Sequence, residues 1–213
     1  FNFGSFEEYL NRDVDSLIID TAKRYADILE KISTNQYILM GYCVGGWIAF
    51  ETARILVERG KNVAKVVTIS SSLCGHNYDN ELLLERAFAL SIGADIEKAG
   101  YIGSNTLLQR ALENFKTHNG DRAISIDELC TLSGEYEELA VGFKKLSELS
   151  QEERLQKIFA TIKKNEGDDA ENIDMFKILY KLFRHSFKGI MRYEPSIYVG
   201  DVHALFVADD TKH

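Results

Sequence analysis

Gly41-Tyr42-Cys43-Val44-Gly45-Gly46 is the stretch of this 213-residue sequence with the clearest chemical content. A thiol with glycine two residues away on each side suits a sharp strand-to-helix turn, which holds a nucleophile in a strained backbone conformation. The glycines remove Cβ atoms that would clash there. This is the nucleophile elbow with cysteine in the serine position. Cys43 is then expected at a helix N-terminus, where free N–H groups and the helix dipole stabilise negative charge on sulfur. The backbone N–H of Val44 is expected to supply one donor to the oxyanion of a tetrahedral intermediate. Gly46 adds room for close helix-to-strand packing. The same residues also fit a plainer role, a small buried hydrophobe in a glycine-rich packing turn.

The flanking pattern favours the chemical reading, because an elbow needs a strand before it and a helix after it. Gln36 to Met40 is a short apolar run expected as a buried strand, and from Val44 the sequence turns helical through Trp47, Ile48, Phe50, Ala53, Ile55 and Leu56 until Gly60. Lys65 to Ile69 is a second expected buried strand, so strand, turn, helix and strand make the βαβ unit of a parallel sheet. Before it, residues 5–32 carry apolar groups at three- and four-residue steps and are expected to form one helix. Residues 78–190 show amphipathic helices and polar turns without a clear strand. That is too long for a loop, and its polarity argues against a second core, so it is expected as a helical insertion over one sheet edge. In its last helix Met175, Leu179, Leu182, Phe183, Phe187 and Ile190 are expected to form the apolar face. The sheet resumes at Val202 to Ala208.

Composition narrows the function classes. Lysine and arginine number 25 against 33 acidic residues, a net of -8, on 45% apolar content. The excess lies in residues 81–175, with 11 basic and 19 acidic groups. Phosphate-backbone binding needs a basic stripe, so a nucleic-acid partner is disfavoured. No run reaches the eighteen or so apolar residues of a membrane span, so a membrane partner is not expected. Cys43, Cys74 and Cys130 form no CxxC pair, and the odd count suggests reduced thiols and a cytoplasmic location. Cys74 and His76 alone are too few ligands for zinc.

The run Tyr37-Ile-Leu-Met-Gly-Tyr-Cys-Val-Gly-Gly-Trp-Ile-Ala-Phe-Glu-Thr-Ala through Val67 resembles the thioesterase domains that terminate nonribosomal peptide and polyketide synthetases. Tyr193-Glu-Pro-Ser-Ile-Tyr-Val-Gly-Asp-Val-His-Ala-Leu-Phe-Val-Ala is similar to that family's segment leading into a late strand. The resemblance implies an α/β-hydrolase fold: a mostly parallel sheet flanked by helices, with the insertion as a lid over the acyl-binding cleft and residues 1–213 as a single domain. It also implies a substrate delivered on the phosphopantetheine of an acyl or peptidyl carrier domain in the same parent chain, and no cofactor of the domain's own. Release would be by hydrolysis or cyclisation. Other cysteine-elbow hydrolases, dienelactone-hydrolase-like or polyester-synthase-like, share the Gly-x-Cys-x-Gly-Gly pattern. A non-catalytic module that binds acyl groups or a carrier is the alternative of another class.

Two departures from the family pattern matter. Cysteine replaces the usual serine, which implies an S-acyl intermediate formed by near-thermoneutral thioester exchange. Where many members carry the triad aspartate, this chain reads Ile69-Ser70-Ser71-Ser72. The acid is therefore expected after the later strand, at Asp210, with Asp209 as second choice. Only His213 follows, too close to Asp210 to serve, and His76, His118, His185 and His203 have local explanations, so the base is expected beyond this chain. A second oxyanion donor and early strands are likewise missing before Phe1, so the sequence is expected to be truncated at both ends and incomplete in isolation. Lys177, Lys181, Arg184, Lys188 and Arg192 line one helix face, either to dock an acidic carrier or its phosphate or, as charged outer faces usually do, to meet solvent.

Overall fold

The computed structural model describes residues 5–162 and 173–206. The chain forms two compact units, one of the residues up to Cys74 together with those from His185 onward, the other Gly75–Arg184.

In the first unit, strand β1 (Tyr37–Tyr42) leads into helix α3 (Val44–Glu58) and then strand β2 (Val63–Ile69). Helix α3 stops at Gly60, which has φ +75°. Its N–H donates to the Val57 carbonyl and the N–H of Lys61 donates to that of Leu56, both at 2.9 Å. These paired bonds satisfy two orphan carbonyls of the last turn, and glycine supplies the left-handed conformation they require. β1 and β2 pair in parallel, with Leu39 beside Val66 and Met40 beside Val67. Strand β3 (Val202–Leu205) adds in parallel on the other side of β2, giving the order β1-β2-β3. This is an α/β fold with three parallel strands flanked by helices.

The N-terminal stretch differs from the single helix expected over residues 5–32. It splits into α1 (Phe6–Leu10) and α2 (Leu17–Leu29). Between them the Asp13 carboxylate accepts the Asp15 N–H at 3.1 Å, a local side-chain turn that competes with helix formation. Arg12 then ties the two helices, donating to Glu8 at 3.3 Å and to Thr21 at 3.2 Å. Helix α2 lays Ala22, Ala26 and Leu29 in one apolar cluster with Ala49, Ala53 and Leu56 of α3 and with Leu39 and Val66 of the sheet. Facing alanines let the two helices approach closely.

Strand β1 is buried on one face only, and β3 is exposed along its whole length. Leu39 and Val66 point into this cluster, while Ile38 and Met40 on the opposite face of β1 are 68% and 65% exposed. The buried strand expected over Gln36 to Met40 is corrected to this alternation, because α2 and α3 pack on the same side of it.

Gly75–Arg184 contains only helices among its described residues: α4 (Glu81–Ser91), α5 (Ile96–Ala99), α6 (Asn105–Asn119), α7 (Ile126–Cys130), α8 (Glu137–Ser147), α9 (Gln151–Ala160) and most of α10 (Ile173–Arg192). Side-chain caps fix their starts: Asn80 and Ser104 accept from the first turns of α4 and α6, and Ser125 and Ser150 form capping boxes with Glu128 and Glu153. This unit has a core of its own, contrary to the expectation from its polarity. Leu82, Phe88, Tyr101, Leu112, Leu139, Phe143 and Ile158 are among its buried members. Each amphipathic helix gives a narrow apolar stripe, and the stripes sum to a core that mean composition hides.

The inward face of α10 shares Phe183 and Ile190 with the expected one but is otherwise turned from it. Phe176, Tyr180 and Phe183 pack around Phe88 at ring-centroid distances of 5.2–5.3 Å. Met175 and Leu179 are exposed instead. Of the basic stripe on α10, Lys177 pairs with Glu152, Arg184 with Glu81 and Arg192 with Asp15. Those three groups serve the chain's own carboxylates, which weakens their reading as a docking face.

Candidate active site

Cys43 lies between β1 and α3, is exposed, and has φ 52° and ψ -123°. With Ser70 (φ 48°) it is one of two non-glycine residues at positive φ among the described residues. Such a conformation costs an L-residue of order 1–3 kcal/mol and persists only where the surroundings fix it. They do so here from three sides. The Cys43 N–H donates to the Ile69 carbonyl of β2 at 2.8 Å, and the Cys43 carbonyl accepts the Gly46 N–H at 3.0 Å. That carbonyl also accepts the hydroxyl of Ser71 at 2.8 Å.

The glycines have unequal roles. A Cβ at Gly41 would overlap the Gly45 carbonyl, and one at Gly46 would overlap the Ser71 hydroxyl and lie 3.2 Å from the Gly41 carbonyl. At Gly45 a Cβ meets nothing within 4 Å. The steric need expected for the symmetric pair around Cys43 therefore belongs to Gly41 and Gly46. Gly46→Ala is expected to cost about 1–3 kcal/mol through overpacking, read by chemical denaturation, whereas Gly45→Ala is expected to cost less.

Val44 is the first residue of α3, so its N–H lies in the turn that has no intrahelical acceptor. Further along α3, Trp47 Nε1 donates to the Ser72 carbonyl at 3.4 Å, and its ring lies 5.6 Å from that of Tyr193. The Tyr193 hydroxyl donates to the buried Glu51 carboxylate at 2.7 Å, and Arg54 donates to the same group at 2.7 Å. Burial and the Glu51 carboxylate push the Tyr193 phenol well above its ordinary range. The bond joins the segment after α10 to the helix that begins just after Cys43, which gives a physical reason for Glu51 and Tyr193 in the two stretches noted in the sequence.

Residues 12–92 match the family model described as "Thioesterase domain". Over that stretch, rather more than a third of its length, the chain is similar to a thioesterase domain. That domain class comprises hydrolases acting on thioesters, and the matched stretch contains β1, Cys43, α3 and β2. The chain is also similar to pyochelin synthetase PchF of Pseudomonas aeruginosa, being 29% identical over 203 residues in one strain and 28% over 210 in another. Each match covers 95% of this chain and 10% of the relative, so the chain spans about a tenth of those proteins' length.

Asp209, Asp210 and His213 lie outside the described residues. Of the other histidines, His76 follows Cys74 in a loop, His118 sits in α6 with Nδ1 2.8 Å from the Asn114 carbonyl, His185 is in α10 and His203 in β3. The His185 ring stacks edge-on with Tyr9 at 5.4 Å, and burial lowers its pKa from the ordinary value. No group of three His, Cys, Asp or Glu that could hold a metal ion occurs among the described residues. No described helix is long and apolar enough to cross a membrane.

Ser71 is the residue that sequence reasoning passed over, since Ser70-Ser71-Ser72 was informative only for lacking a carboxylate. Its signal was position: a small hydroxyl just past a strand, beside a glycine-rich elbow. Cys74 is a second thiol near the elbow, while Cys130 lies at the end of α7. Burial first, and then the nearby Cys43 sulfur, push the Cys74 thiol up to about 11. The raised value keeps Cys74 protonated through neutral pH. Iodoacetamide at pH 8 is therefore expected to modify exposed Cys43 well before Cys74, with Cys74 gaining reactivity only as pH approaches 11. Peptide mapping after timed alkylation checks the order.

Proposed function

We propose that this chain releases an acyl or peptidyl group from a carrier-bound thioester through an S-acyl intermediate on Cys43. The observation that carries the reading is Cys43 itself, exposed at φ 52° between a parallel strand and a helix, inside the stretch that matches the thioesterase family. The Cys43 sulfur attacks the acyl carbon, and the Val44 N–H holds the resulting oxyanion. The intermediate then collapses: the carbon–sulfur bond to the carrier's phosphopantetheine breaks, and the departing thiolate takes up the proton given by Cys43. Water or a nucleophile within the acyl chain then displaces Cys43, giving hydrolysis or cyclisation.

In this reading Asp210, or Asp209 as second choice, orients a base histidine supplied from outside these 213 residues. The helical stretch of about residues 78–190 acts as a lid of a single hydrolase domain. The similarity over 10% of a pyochelin synthetase supports a carrier domain in the same longer protein, working in the cytoplasm, where thiols stay reduced. Mass spectrometry of the full-length protein quenched during turnover of an acylated carrier tests this. The acyl mass is expected on the peptide containing Cys43. Carrier binding without any acyl adduct or turnover would instead identify a non-catalytic acyl- or carrier-binding module.

A further inference from the structure

We propose that Ser71 is a positioning residue for the oxyanion donor: its hydroxyl orients and polarises the Cys43–Val44 peptide whose N–H meets the developing charge. The inference rests on the reading of Cys43 as nucleophile and adds to it a residue from outside the elbow.

Ser71 is 6% exposed and lies just beyond β2. Its hydroxyl reaches two carbonyls, that of Cys43 at 2.8 Å and that of Ile69 at 3.1 Å. The Ile69 carbonyl also accepts the Cys43 N–H, so one hydroxyl bridges the carbonyls that fix Cys43 on both its sides. The Cys43 carbonyl belongs to the same planar, conjugated peptide as the Val44 N–H. A hydrogen bond donated to that oxygen draws electron density from the nitrogen and strengthens the N–H as a donor, as in any chain of coupled hydrogen bonds. It also pins the peptide plane, and with it the direction of the N–H. Gly46 makes the arrangement possible, since a Cβ there would occupy the place of the Ser71 hydroxyl.

A polarising role separates from a merely structural one by the chemistry of the attacking step. Thioester attack builds charge on a carbonyl oxygen, whereas alkylation of the Cys43 sulfur by iodoacetamide builds none there. The test uses the full-length protein with an octanoyl thioester of N-acetylcysteamine, comparing wild type, Ser71→Ala, Ser71→Thr and Cys43→Ala. Losing a whole oxyanion donor slows reaction by about 10²–10³-fold, so losing its polarising partner is expected to cost about tenfold in kcat. KM and the rate of Cys43 alkylation should stay within about twofold, and Ser71→Thr, which keeps the hydroxyl, should recover most of the rate. Unchanged acylation in Ser71→Ala would overturn the proposal. So would equal losses of acylation and alkylation without recovery in Ser71→Thr, which would mark Ser71 as scaffold only. Acylation persisting in Cys43→Ala would instead remove the nucleophile itself, and the role of Ser71 with it.

Discussion

Cys43→Ala is expected to abolish the covalent acyl adduct and lower turnover of an acyl thioester by about 10⁴-fold or more, because a nucleophile deletion removes the reaction path and not merely a contact. Carrier affinity should change little, since Cys43 is one small side chain at an exposed turn. The fold should survive as well, as the elbow is held by the Ile69, Gly46 and Ser71 bonds to the backbone of residue 43. Cys43→Ser is the more instructive partner variant. Thioester exchange onto cysteine is nearly thermoneutral, whereas transfer onto serine gives a more stable oxygen ester. An intermediate trapped on wild type should therefore be discharged by neutral hydroxylamine, and one trapped on Cys43→Ser should resist it. A wild-type adduct that resists hydroxylamine would exclude an S-acyl cysteine.

The elbow was legible because its steric demands are local. Gly41, Cys43 and Gly46 are constrained by one another, by a strand of six residues and by a helix that begins at the next position, and all of these leave marks within twenty residues of sequence. The role of Ser71 was not legible, because it depends on where β2 ends relative to β1, a register that no spacing within either strand encodes. The break between α1 and α2 was hidden by Val14 and Leu17, which keep the apolar rhythm while Asp13 folds its own turn beneath it. Helix α10 was misphased for a related reason. It carries large apolar groups on two adjoining arcs, and only the rings facing Phe88 decide which arc turns inward. For the acid, the sequence offers Asp209 and Asp210, and the described residues end before them.

Breaking the ion pair inside Gly75–Arg184 is expected to have the largest effect on stability. Glu85 on α4 is fully buried, and Arg154 on α9 is 7% exposed. Arg154 donates to the two Glu85 oxygens at 2.6 and 2.9 Å and to the Leu149 carbonyl at 2.5 Å. Tyr101 donates to Glu85 as well, at 2.9 Å, and burial beside that carboxylate pushes its phenol far above the ordinary range. Arg154→Met leaves a buried carboxylate facing methylene groups, and the loss is expected to be about 3–5 kcal/mol in the unfolding of this unit. The double variant Glu85→Gln with Arg154→Met should lose distinctly less than the single, because the stranded charge is gone. Urea denaturation of wild type and both variants checks the order, and a double variant that loses as much as the single would mean that lost packing, and not the stranded Glu85 charge, sets the cost.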